Sequence, residues 1–185
     1  MNRELYVFVE EQSSAVFVER LGSFYDISNR LTVVRNSGAG DLERSLRNKT
    51  NALDQKITRV IVLRDQDDHD CIALKKKLYE LVAKDMKSSV KIRIACRELE
   101  SWYIAQPEAL KLARVLKSEL PISLLRRDPD SISDPKKEII SRAHRESQMW
   151  LANSIVPHLN IENLKSSSFK NFVLAFRDCV KWLKK

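Results

Sequence analysis

Five acidic residues stand just beyond three short apolar runs, and carboxylates in that placement can do metal chemistry. Glu10 follows LYVFV at 5–9, Asp65 and Asp67 follow VIVL at 60–63, and Glu98 and Glu100 follow VKIRIAC at 90–96. Carboxylates gathered within a few ångströms raise one another's proton affinity unless a cation sits among them. Oxygen-only donors of this kind suit Mg2+ or Mn2+. Asp65 and Asp67, leaving an extended strand end two residues apart, are expected on the same side, spaced to share one ion or bridge two. Asp68 and Asp70 read instead as turn and cap residues, with Asp70 the cap of the next helix. Arg64 and Arg97 adjoin the acids, and with Lys170 they are the candidates for holding the phosphates of a nucleic acid.

Such a cluster needs elements that bring distant residues to one place. Leu5–Val9 is an unbroken apolar run, too short for a helix and rich in aromatic and β-branched residues, as a strand buried on both faces requires, and Val60–Leu63 is a further apolar strand. Leu31–Val34 predicts another strand, and Val90–Cys96 alternates apolar with polar residues, which predicts a strand nearer the sheet edge. Helical spacing separates the strands: Val16, Phe17 and Leu21 after a cap at Ser13 or Ser14, Leu42 and Leu46 after a cap at Asp41, and Leu74, Leu78 and Leu81 after Asp70. Alternating strands and helices imply a mainly parallel sheet with right-handed crossovers, in which ligands sit at the carboxyl ends of the strands. The Gly38-Ala39-Gly40 stretch falls on that edge as well, and turn geometry explains it better than a phosphate cradle.

Residues 1–116 are expected to form the α/β core, 117–135 a connecting segment with three prolines, and 136–185 a helical C-terminal extension packed on the core. Asp134-Pro135 is a cap followed by a first helical residue. Phe169, Phe172, Val173, Phe176, Val180 and Leu183 then share one helical face behind the serine run at 166–168.

Composition narrows the function classes. The 185 residues carry a formal charge of +8, with 43% hydrophobic and 31% charged residues, an ordinary globular balance with a basic excess that attracts polyanions. No leader or membrane span is legible, so a cytoplasmic location is expected. Cys71, Cys96 and Cys179 are far apart and odd in number, which excludes a disulfide framework, and no second His/Cys pair joins His69 and Cys71 to make a zinc site.

The order VFVEEQSSAVF, VIVLRDQDDHDC, IRIACRELESWYIAQPEAL and SSSFKNF resembles a Toprim-like domain-of-unknown-function family related to the nuclease domain of overcoming-lysogenisation-defect (OLD) proteins. The resemblance spans nearly the whole chain. It implies a glutamate after the first strand and a DxD after a later one that hold magnesium for phosphodiester chemistry, roles that fall on Glu10, Asp65 and Asp67. It also implies that Glu98 and Glu100 complete the site, that Ser168 and Phe169 belong to a C-terminal motif, and that an ABC-like or AAA-type ATPase in a phage-defence cassette is a partner. The chain departs from the Toprim pattern at Glu11 and Ser14, where a glycine and a further acid are usual, so a second ion would draw on Glu11 or Glu100.

A Mg-dependent nuclease is therefore the expectation, with two rivals. A small-molecule magnesium phosphohydrolase of the haloacid-dehalogenase kind would place its aspartate after the first strand, whereas here Glu10 stands there. A non-catalytic adaptor that docks on an ATPase is favoured by the departures at Glu11 and Ser14.

Overall fold

Four runs of β-branched and aromatic residues pair because each is flanked by turn-forming or charged residues that stop it and by a helix able to cover it. In the computed structural model, which describes residues 2–163 and 165–185, these are β1 (Glu4–Val9), β2 (Leu31–Arg35), β3 (Thr58–Asp65) and β4 (Val90–Ala95). The order is β2-β1-β3-β4 and every pairing is parallel. The unbroken apolar strands β1 and β3 are central, and the alternating β4 lies at an edge. Expectation and structure agree on an α/β fold whose parallel sheet is flanked by helices and followed by a C-terminal helix.

The crossovers are α1 (Gln12–Phe24), α2 (Ala39–Lys49) and α3 (Cys71–Leu81); beyond the sheet come α4 (Glu100–Ile104), α5 (Pro107–Ala113), α6 (Ile122–Leu125), α7 (Pro135–Ile140), α8 (Gln148–Ile155) and α9 (Ser167–Leu183). Alternation along the strands divides the core. Phe8, Val60, Val62, Ile92 and Ile94 pack on α2 and α3, while Leu5, Val7, Val9, Ile61 and Leu63 face α1 and the helices beyond the sheet. Among the described residues no helix is long and apolar enough to cross a membrane.

Local chemistry sets several helix starts differently from expectation. Ser13 and Ser14 lie buried inside the first turn of α1, which starts at Gln12. Asp41 lies in the first turn of α2 and accepts from the Ser37 backbone N–H at 3.1 Å, while the flanking position belongs to Gly38 at φ +98°, a conformation glycine adopts without strain. Asp70, Asp134 and Ser166 are caps as expected, accepting from Ala73, Lys137 and Phe169 respectively. Residues 117–135 hold α6 and a 3₁₀ turn at Pro129–Ser131.

The C-terminal helix is tied at both ends. Arg3 and Arg30 donate to the Trp182 and Leu183 carbonyls at 2.6 and 2.7 Å, satisfying acceptors that a helix end leaves open. At its start the Asp130 carboxylate accepts from the Ser166 and Ser168 hydroxyls (2.7 and 2.9 Å) and the Ser168 amide (2.8 Å), while Ser168 Oγ accepts from Trp102 Nε1 at 2.7 Å. The serine motif is thus the lock between α9, the 129–131 turn and the Trp102 core. Asp130→Ala would strand two buried hydroxyls and remove an anion at a helix N-terminus, and is expected to cost about 2–4 kcal/mol, read as a lower urea midpoint at unchanged slope.

Candidate functional site

The register of the two central strands decides which acids meet. Val9 lies opposite Leu63, and both face the α1 side; continuing by one and two residues sets Glu10 beside Arg64 on the α2/α3 side and Glu11 beside Asp65 on the α1 side. The side chains follow that parity. Arg64 Nε is 3.5 Å from Glu10 Oε2, and its Nη1 donates to Glu43 Oε1 at 3.0 Å, where Lys77 Nζ also donates at 2.6 Å. Against the upward push of its own burial, Lys77 and Arg64 hold the Glu43 carboxyl below its ordinary value.

On the other side of the strands the charges are less compensated. Asp65 ends β3 and accepts no hydrogen bond from a described side chain or amide. Burial, then Glu100, Glu11, Glu10 and Asp67, push its carboxyl well above the usual range. Glu100, in the first turn of α4, is 3% exposed and is pushed up to about 7, chiefly by burial. Gln148, the first residue of α8, reaches both neighbours: its Nε2 lies 3.2 Å from Glu11 Oε2 and 3.5 Å from Glu100 Oε1. Tyr103, one turn beyond Glu100, is buried with its hydroxyl unpartnered among the described residues.

The rim between β3 and β4 is held by backbone. The Gln66 and Asp67 amides donate to the Ala95 and Arg97 carbonyls, both at 2.9 Å, and the Arg97 amide donates to Gln66 Oε1 at 3.2 Å. Asp67 and Arg97 both sit in the left-handed region, at φ +52° and +61°. Strained backbone of this kind persists where the surroundings over-determine it, and it concentrates at functional sites. Asp67 therefore reaches the cluster through a turn and not by the expected strand alternation. Its charge nevertheless raises the proton affinities of Asp65, Glu10 and Glu98.

Comparison with known proteins places this geometry. Residues 9–176 match the family described as Domain of unknown function (DUF4276). The chain belongs to the DUF4276 family. No curated protein matches it. Among solved structures, the C-terminal region of the Burkholderia pseudomallei OLD protein is similar to the DUF4276 chain with a TM-score of 0.61 at 15% identity, over 97% of this chain and 100% of that one. The C-terminal region of the Xanthomonas campestris pv. campestris OLD protein is similar with a TM-score of 0.58 at 16% identity, over 97% of each chain. At such identities the likeness establishes the fold.

In the DUF4276 chain the candidate residues divide into three groups. Glu10, Glu11, Asp65, Asp67 and Glu100 converge on one rim. Glu98 turns aside: its Oε2 accepts the Lys136 amide at 3.0 Å at the start of α7, and burial raises its carboxyl while Lys136 opposes. Of the basic candidates, Arg64 is 3% exposed and committed to Glu10 and Glu43. Arg97 is half-exposed beside the fully exposed Asp68 at 3.4 Å. Lys170 is exposed on the first turn of α9, with no hydrogen bond or ion pair from its side chain to the acids.

The donor set fits a hard divalent cation by chemistry: it is all oxygen, and four acids stand near enough to Asp65 to raise its proton affinity. Glu10 Oε2 and the Arg64 Nε that faces it at 3.5 Å are both buried without a hydrogen-bond partner among the described residues. Among the described residues, no group of three or more His, Cys, Asp or Glu side chains is arranged to hold a metal ion as it stands. Holding an ion requires rotation of side chains, and Glu10 and Glu11, which follow the last residue of β1, have the torsions to supply it.

Two contributors were under-read or unread in the sequence. Glu11 appeared only as a substitute ligand, though parity counted from Leu5, Val7 and Val9 assigns it to the Asp65 side. Gln148 left no signal, because it lies 48 residues beyond Glu100 in a stretch with neither motif nor pattern.

Proposed function

We propose that this chain is a metal-dependent phosphodiesterase of Toprim type acting on nucleic acid, working with an ATPase partner of the ABC-like or AAA type in a DNA-processing or phage-defence setting. The observation that carries the reading is the convergence of acids from the ends of β1, β3 and β4 around Asp65 at one rim of a parallel sheet. Similarity to the C-terminal regions of OLD proteins supports it. Asp65, Asp67 and Glu100, with Glu10 or Glu11, would hold Mg2+ or Mn2+, which supplies Lewis-acid polarisation of the scissile phosphate. Arg97, projecting from the strained rim with only an exposed partner, is placed to contact a backbone phosphate. Arg64 instead fixes Glu10.

The test is nicking of supercoiled plasmid in Mg2+ or Mn2+ by wild type and Asp67→Asn. Asparagine tolerates the left-handed backbone, so only the charge is lost. Metal-dependent nicking by wild type, about 100-fold slower in the variant, is expected; equal nicking by both proteins sinks the catalytic reading. The Arg64–Glu10 pair favours a second reading, a non-catalytic adaptor in which the arginine stands where a cation otherwise would. That reading expects no Mn2+ binding and no nicking. A small-molecule phosphohydrolase would instead cleave simple phosphate esters with little dependence on salt.

A further inference from the structure

Among the described residues, Gln148 is the one from the helices beyond α7 whose side chain hydrogen-bonds to Glu11 and Glu100. Its backbone is fixed: Ser147 caps α8 by accepting from the Trp150 amide at 3.3 Å, and Leu151, Ala152 and Ile155 bury the helix against the core. Its side chain is half-buried, and a single amide nitrogen faces two carboxylates carried by different strand ends. Ser13 Oγ adds a weak contact to the same Glu11 oxygen at 3.4 Å. An amide is neutral and both contacts are long, so it orders the two acids without neutralising them. Without it, Glu11 and the buried Glu100 would be like charges with no shared donor, and the less buried Glu11 would be free to swing toward solvent.

We propose that Gln148 is a positioning residue that ties Glu11 to Glu100 and so makes Glu11, rather than the Arg64-bound Glu10, the β1-end ligand of the cation. This rests on the reading of the acid rim as a divalent-cation site. The chemistry follows from the parity of the strand ends. Glu10 is turned to the α2/α3 side and engaged by a buried arginine, whereas Glu11 shares the Asp65 side and is held there by the α8 amide. The carboxylates rotate inward to meet the cation, and the amide keeps its hydrogen bonds to the lone pairs that the ion leaves free. Outer-shell groups that orient metal ligands commonly contribute 10–100-fold to affinity.

The experiment is Mn2+ binding by the full chain, measured by calorimetry and by the loss of the free-ion electron paramagnetic resonance signal, with metal-free melting followed in parallel. Gln148→Leu is expected to weaken Mn2+ binding about tenfold, and Glu11→Gln at least as much. The double variant should bind no more weakly than Glu11→Gln alone, because Gln148 acts through Glu11. Gln148→Lys places a fixed ammonium between the two acids, so it should melt higher than wild type yet bind Mn2+ more weakly than Gln148→Leu. It also serves as the test should the leucine variant not fold. Wild-type affinity in Gln148→Leu, or losses that multiply in the double variant, would overturn the proposal while leaving the cation site standing. Absence of Mn2+ binding by wild type, or binding untouched by Asp65→Asn, overturns the site itself and this proposal with it.

Discussion

Asp65→Asn is expected to make the metal-free chain melt at a higher temperature while removing metal-dependent cleavage. The carboxylate at the end of β3 is disfavoured twice, by burial and by four neighbouring acids, and among the described residues no side chain or amide donates a hydrogen bond to it. Asparagine keeps the shape and drops the charge, so the folded state is relieved of a repulsion that the unfolded chain never feels. A gain of a few degrees is expected, because 1 kcal/mol moves the midpoint of a chain this long by about 2–4 °C. Activity should move the other way. Groups that merely orient metal ligands contribute 10–100-fold, so loss of the central ligand should exceed about 100-fold. Paired melting curves and plasmid-nicking rates check both halves. An Asp65→Asn protein that melts lower than wild type would mean that the carboxylate has a structural partner, and the cation reading would lose its main physical support.

That opposition between stability and function is what the sequence allowed one to anticipate, but only in outline. The strands were legible because β1 and β3 are continuous apolar runs and β4 alternates, and that alternation set β4 toward the sheet edge. Strand direction alone led one to expect Glu10, Glu100 and Asp65 at one rim, and these acids do stand near enough to raise the proton affinity of Asp65. What could not be read was register. Whether Glu10 or Glu11 faces Asp65 depends on Val9 pairing with Leu63, and a slip of one residue would exchange their roles. Arg64 was misjudged for the same reason. Beside Asp65 in the sequence it looks like a phosphate contact, but opposite parity buries it under α2, where Glu43 and Glu10 engage it. Glu98 and Glu100 are likewise two residues apart in the ELE segment, yet one accepts the Lys136 amide in the first turn of α7 and the other turns toward Asp65, because Leu99 is drawn into the core between them.

Raising the pH from about 4.5 to about 7 is expected to destabilise the metal-free chain through Glu100, and a divalent cation is expected to reverse the loss. Burial lifts this carboxyl to about 7 in the folded protein, from an ordinary value of 4.5. The folded state therefore binds the proton more tightly than the unfolded state does. The associated stability is complete below about 4.5 and is lost as pH rises through 7, a change of about 3 kcal/mol for one such group. Glu43 and Asp178, held below their ordinary values by lysine and arginine partners, contribute in the opposite direction at lower pH. The wild-type curve is consequently composite, and Glu100→Gln isolates the effect: the two proteins should match near pH 5 and diverge by pH 8, with the variant the more stable. Adding Mg2+ or Mn2+ should raise the wild-type midpoint most at pH 8, where Glu100 is ionised and able to hold the cation, and should leave Glu100→Gln nearly unmoved. Urea melts at pH 5 and pH 8, with and without the ion, are sufficient. Parallel pH profiles for the two proteins would place the Glu100 proton outside the titration that burial demands.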